Sequence, residues 1–193
     1  QFQPRRRAAQ KLALALARHA TSKVRSLEDL EAVATMGFRG EALASIASVS
    51  RLAIASRSGG SPHGFAIRAE GSRVGDLEPA ARAQGTTVSV EDLYFNTPAR
   101  RKFLRTEATE FGHCDEAFRR AALARPDIAW MLKHNGRVGT HLRSQAPGER
   151  AAALLGRGFL DSSLAVEAQA GALRLHGLAG NPPPGFGQAG LCV

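Results

Sequence analysis

Between residues 51 and 93 the apolar side chains fall on every second position in three short runs. Leu52 and Ile54 do so in residues 51–56, Phe65 and Ile67 in 64–70, and Val88 and Val90 in 86–93. A period of two is that of a strand with one covered face, so these runs predict antiparallel strands that need a layer on one side. Helical spacing lies outside that block. Residues 8–20 carry Leu12, Leu14, Leu16 and Ala17 among good helix formers. Residues 41–49 form an Ala-, Ile- and Val-built face, and residues 106–125 set Phe111, Cys114, Phe118 and Ala121 at helical intervals, with Pro126 just past the end. Helices and antiparallel strands in separate blocks predict an α+β sandwich.

The remaining segments extend this plan. Ser26-Leu27-Glu28-Asp29 reads as a capping box opening a short helix through Thr35. Residues 128–132 and 137–142 flank His134-Asn135-Gly136, an Asn-Gly hairpin signal. A second unit is expected from about residue 148, with a helix over 149–155 and strands over 164–168 and 172–177 joined at Gly171. That stretch is too short to close a core alone. Residues 1–10 are a basic lead-in without periodicity, and residues 181–193 a Gly- and Pro-rich tail.

Composition adds a bias toward polyanions. The 193 residues carry 26 Lys and Arg against 17 Asp and Glu, a formal charge of +9, which suits nucleic acid or nucleotide. Only four of the 26 are lysine (Lys11, Lys23, Lys102 and Lys133), and the chain is rich in Ala and Gly, so a GC-rich coding sequence accounts for part of the excess. Cys114 and Cys192 lie far apart, outside metal-ligand spacing. Cys114 reads as a small core residue, a disulfide scaffold is not expected, and the chain reads as cytoplasmic. No apolar run nears the roughly 18 residues of a membrane span.

Three segments can carry chemistry. In Gly37-Phe38-Arg39-Gly40-Glu41-Ala42-Leu43 two glycines three apart precede a helix, allowing close backbone approach to a ligand at a positive dipole end. Arg39 adds a charged donor. The alternative is a plain turn between helices, and the pattern is neither a Walker A loop nor a dinucleotide fingerprint. Thr21-Ser22-Lys23 offers two hydroxyls and an ammonium to phosphate, or simply ends a helix. Gly85-Thr86-Thr87 opens a strand. In residues 96–105 Pro98 suits a first helical turn capped by Asn96 or Thr97. There Arg100, Arg101, Lys102 and Arg105 form either a nucleic-acid contact or a solvated basic face.

Together these strings resemble the MutL family of DNA mismatch-repair proteins, over residues 11–177. Residues 12–23 are similar to its helix and lid region, and Gly37–Leu43 is identical to its second ATPase motif. Gly85 to Leu104, including Asn-Thr-Pro-Ala-Arg-Arg-Lys-Phe-Leu, is similar to the third. Other members of the GHKL superfamily (gyrase, heat-shock chaperone, histidine kinase) share the fold but not these strings. The resemblance implies an incomplete Bergerat-type GHKL ATPase sandwich over residues 11–147 and, over 148–180, the start of a ribosomal-protein-like, transducer-like α/β domain. It implies ATP contacts by Thr21, Ser22, Lys23, Gly37, Phe38, Arg39, Gly40, Glu41, Ala42, Leu43 and Thr86, the last near the adenine, with Mg2+ accompanying the nucleotide.

It further implies an ATP-driven clamp that homodimerises through its N-terminal domain, binds DNA and couples a MutS-type mismatch-recognition protein to later repair steps. Residues 1–10 match neither the family's catalytic glutamate and magnesium-holding asparagine nor its Asp-Asn-Gly segment. Glu28, Asp29 and Glu31 lie downstream of the helix and do not replace them. The second-domain lysine that reaches the terminal phosphate would fall beyond Val193. No catalytic residue and no metal ligand is therefore assigned. The expectation is a chain that touches ATP's phosphates without hydrolysing them. The alternative is a catalytically dead piece acting only as a basic DNA-binding module, or not stably folded.

Overall fold

The computed structural model describes residues 12–17, 40–180 and 191–192. It divides into two compact units, one ending at Leu104 and one beginning at Arg105.

The first unit contains helix α1 (Ala42–Ala47) and strands β1 (Arg51–Arg57), β2 (Gly64–Glu70), β3 (Arg73–Val74), β4 (Glu78–Ala80) and β5 (Gly85–Glu91), followed by helix α2 (Pro98–Arg101). The sheet runs β3-β2-β1-β5, and β4 also pairs with β2. Every pairing is antiparallel, as the alternation predicts. Register sets Leu52 opposite Ala69 and Ile54 opposite Ile67, all four nearly inaccessible. Leu12, Leu16 and Ala47 complete this core, with Leu43, Ile46, Phe65 and Leu77 packed against it. Burying each such Leu or Ile contributes about 1.5–3 kcal/mol. Within the expected 8–20 helix, residues 12–17 show one helical turn, with the Leu16 amide donating to the Ala13 carbonyl. The helix expected over 26–35 lies outside the described residues.

Two expectations here need correction. Helix α1 is shorter than 41–49, because the Ser48 and Ser50 hydroxyls donate to the carbonyls of Ser45 and Ile46 and compete for the helical acceptors. Val88 and Val90 do stand opposite Ile54 and Leu52, yet they remain 46% and 44% exposed. Among the described residues the apolar layer over β1 and β2 does not extend to β5. β3 and β4 have only two and three residues, too few to show a period.

The second unit runs α3 (Glu107–Ala124), β6 (Trp130–His134), β7 (Arg137–Leu142), α4 (Pro147–Leu155), α5 (Arg157–Asp161), β8 (Ser163–Ala170), β9 (Leu173–Gly180) and β10 (Leu191–Cys192). Thr106 caps α3 by accepting from the Thr109 amide, with Glu107 and Glu110 in the first turn, where carboxylates complement the dipole. Asn135 and Gly136 adopt φ of 49° and 77°, as an Asn-Gly hairpin turn requires. The core joins Ala122, Leu142 and Leu154, with Phe118, Leu123 and Trp130 against it. The Phe118 and Trp130 rings meet edge to face at 5.8 Å.

Cys114, expected in this core, is exposed. Phe118 packs on that core instead, and Phe111 stacks on His134 at 4.0 Å. β6 opens at Trp130 rather than at residue 128, because the Ile128 carbonyl is engaged by Arg150. β8 and β9 form a longer hairpin than expected, turning at Gly171 with φ 59°. β10 pairs Leu191 with Ala179 and Cys192 with Leu178, a strand within the tail that had no readable pattern.

Candidate nucleotide site

The site is built around the start of α1. Gly40 has φ 66°, a left-handed conformation that glycine adopts without penalty. Glu41 is the N-cap residue, its carbonyl accepting from the Ser45 amide at 2.9 Å. Ala42 and Leu43 make the first turn, Leu43 anchored on the core. First-turn amides have no partner inside their own helix, and that end is the positive pole. The turn can therefore meet an anion through backbone alone. Thr21, Ser22, Lys23, Gly37, Phe38 and Arg39 lie outside the described residues.

At the other end of α1 the segment after the helix is tied to the third motif segment. The Tyr94 amide donates to the Val49 carbonyl at 2.7 Å, and the Asn96 side-chain amide to the Ser48 carbonyl at 2.9 Å. The Gly71 amide reaches the Ser50 carbonyl at 3.2 Å. These bonds hold Asp92 and Tyr94 at φ of 52° and 63°, conformations that cost non-glycine residues about 1–3 kcal/mol each. Asn96 is thus a tether and not the cap of α2. Thr97 occupies the N-cap position without a side-chain cap bond, its hydroxyl buried and unpartnered.

Thr86 lies in β5, at the far end from that tether. Its hydroxyl is 2.8 Å from that of Ser56. Beside it Arg82 donates to the Thr87 hydroxyl at 3.0 Å and to the Ala55 carbonyl. Sequence reasoning missed Arg82, which sits between strands in a segment without periodicity. Arg100 and Arg101 end α2, Lys102 is its C-cap, and all three are exposed. Phe103 beside them is 80% exposed. Arg105 begins the second unit, its amide donating to the Glu110 carboxylate at 2.8 Å.

The opposite sheet face carries charge of both signs. Arg51 bonds Glu70 at 3.2 Å and Asp92 at 2.7 Å, and its guanidinium lies 5.2 Å from the Phe95 ring centre. Its pKa is raised, chiefly by the Glu70 hydrogen bond and charge. A groove of about 420 Å³ opens there, lined by Arg51, Arg68, Glu70, Arg73, Ser89 and Glu91 among others. Its mixed charge does not suit a polyphosphate. Among the described residues no group of three or more His, Cys, Asp or Glu is placed to hold a metal ion. Among them, too, no helix is long and apolar enough to cross a membrane.

No family model matches the chain. Over 171 residues the chain is 55% identical to the DNA mismatch repair protein MutL of Thiobacillus denitrificans (strain ATCC 25259 / T1), covering 89% of the chain and 29% of that protein. It is 54% identical over 177 residues to the DNA mismatch repair protein MutL of Herminiimonas arsenicoxydans, covering 91% and 29%. Among solved structures, the Aquifex aeolicus MutL ATPase domain complexed with ADP matches 76% of this chain and 57% of that one, at 32% identity and TM-score 0.60.

The α+β fold is thus that of the GHKL-type ATPase domains. The strings in Gly37–Leu43 and Gly85–Leu104 narrow this further, and the chain belongs to the MutL family. It spans about 29% of the length of those curated relatives.

Proposed function

We propose that this chain is a nucleotide-binding part of a MutL-type mismatch-repair protein, an ATP-binding clamp coupling mismatch recognition to later repair. The observation that carries this is the 32% identity and TM-score of 0.60 to a MutL ATPase domain complexed with ADP. In this reading Arg39, Gly40, Glu41, Ala42 and Leu43 wrap the phosphates through backbone amides, following Gly37 and Phe38. Thr21, Ser22 and Lys23 contact the same phosphates, and Thr86 lies on the adenine side. The left-handed Gly40 and the helix start after it suit that role. Mg2+ would accompany the nucleotide.

The same reading takes residues 11–147 as the ATPase domain and 148–180 as the opening of a transducer-like domain, between a lead-in over 1–10 and a tail over 181–193. The whole protein would act in the cytoplasm, homodimerise through its N-terminal domain and meet DNA and a MutS-type partner. Arg100, Arg101, Lys102 and Arg105 would contribute phosphate contacts to DNA.

Titration of the chain with a fluorescent ADP analogue tests the nucleotide reading. Saturable binding is expected, weakened about tenfold by Lys23→Ala through loss of one charge-assisted contact. No measurable turnover is expected, since no carboxylate of residues 1–193 matches the general-base position. A folded chain that ignores the nucleotide would sink the reading. DNA affinity should fall steeply with salt and more gently after Arg100→Ala and Arg101→Ala. A flat salt response would reject the DNA contact.

A further inference from the structure

We propose that Arg150 is a positioning residue that rivets the transducer-side helix α4 to the ATPase-side elements α3, β6 and β7, an assignment resting on the domain reading above. Arg150 is 0% exposed, and among the described residues none of its hydrogen bonds goes to a carboxylate, though its charge acts on Asp127. Nη1 donates to the Ala122 carbonyl at 2.7 Å and lies 3.5 Å from that of Arg125. Nη2 lies within reach of the carbonyls of Pro126, Ile128 and Arg143 at 3.1, 2.9 and 2.6 Å. Nε donates to the Gln145 side-chain oxygen at 3.1 Å.

These acceptors come from three places. Ala122 and Arg125 are last-turn carbonyls of α3, which have no partner in their own helix. Pro126 and Ile128 belong to the connection into β6. Arg143 and Gln145 belong to the connection out of β7. A buried cation is costly unless every donor is used, and here one planar fork meets five carbonyls, of which those of Arg125 and Pro126 also accept from Trp130 Nε1 and the Gln145 amide. Lysine cannot do this, because one ammonium has neither the span nor the planar geometry. Two further bonds support the same seam, from Arg119 Nη1 to the Leu154 carbonyl at 3.0 Å and from the Gln145 amide to the Pro126 carbonyl at 2.9 Å. Arg150 therefore fixes how α4, and the strands that follow it, leave the end of α3.

Hydrogen exchange on the whole chain tests this, comparing native protein with Arg150→Lys and Arg150→Ala. A rivet predicts that amides of 122–128 and 147–155 lose protection by the same factor, on the order of 100-fold, while those of 51–57 and 64–70 keep theirs. Guanidinium ion at low millimolar concentration should restore protection to Arg150→Ala by refilling the fork's place, and should leave Arg150→Lys unchanged. Protection lost from 147–155 alone would overturn the proposal, as would rescue of both variants alike. If Arg150→Ala fails to fold even with guanidinium, Arg150→Lys decides. The nucleotide titration of native protein is read separately. Loss of nucleotide binding with coupled exchange intact would fell the domain reading, while uncoupled exchange with binding intact would fell the rivet.

Discussion

Glu107 binds the tip of the β6–β7 hairpin from the first turn of α3. It accepts from the Asn135 side-chain amide at 2.7 Å and pairs with His134 Nε2 at 2.8 Å. The Asn135 hydrogen bond, then His134, hold its carboxyl below the ordinary 4.5. A lowered carboxylate pKa adds stability that is complete above the unfolded value and disappears as pH falls through the folded one. Acid titration of thermal stability should therefore show a loss below about pH 4.5 that flattens in Glu107→Gln. An unchanged slope would refute the contact's role. Asp127, lowered chiefly by its hydrogen bond to Arg125, contributes in the same direction. In the other unit Leu52 is 2% exposed, and Leu52→Ala should destabilise by about 2–5 kcal/mol in denaturant unfolding. Its alternating position made it readable in advance, whereas the partners of Glu107 lie 27 and 28 residues away, beyond any local pattern.

Helix ends and turns carry the predictions at the scale of elements. Thr106→Ala removes the α3 cap and should cost about 0.5–2 kcal/mol in equilibrium unfolding. Thr97→Ala should cost less, because that hydroxyl caps nothing. At Gly71, φ is 59° and an added Cβ would sit 3.0 Å from the Asn96 side-chain nitrogen. Gly71→Ala should lose about 1–2 kcal/mol from the left-handed conformation alone and disturb the tether between Asn96 and Ser48. Equal stability of native protein and Gly71→Ala would show that this tether does not hold the turn. The Asn-Gly hairpin and the capped α3 were legible because their signals are local. The length of α1 was not, since serine hydroxyls within a helical pattern do not announce which carbonyl they will take.

For the molecule as a whole, the family and the α+β class were written in contiguous strings. The described part of the second motif, residues 40–43, falls on a left-handed glycine and a helix start, and the third on a strand, a strained loop and a short helix. Those features need only neighbouring residues. What the tertiary structure decided is which distant groups meet. It alone tied Asn96 to Ser48, left Val88 and Val90 outside the apolar layer, turned Cys114 to solvent, and sank Arg150 among five carbonyls and one side-chain oxygen. The physical reason is range. Periodicity, caps and turns follow from interactions across a few residues, whereas burial and the satisfaction of a buried charge depend on surfaces brought together from far along the chain.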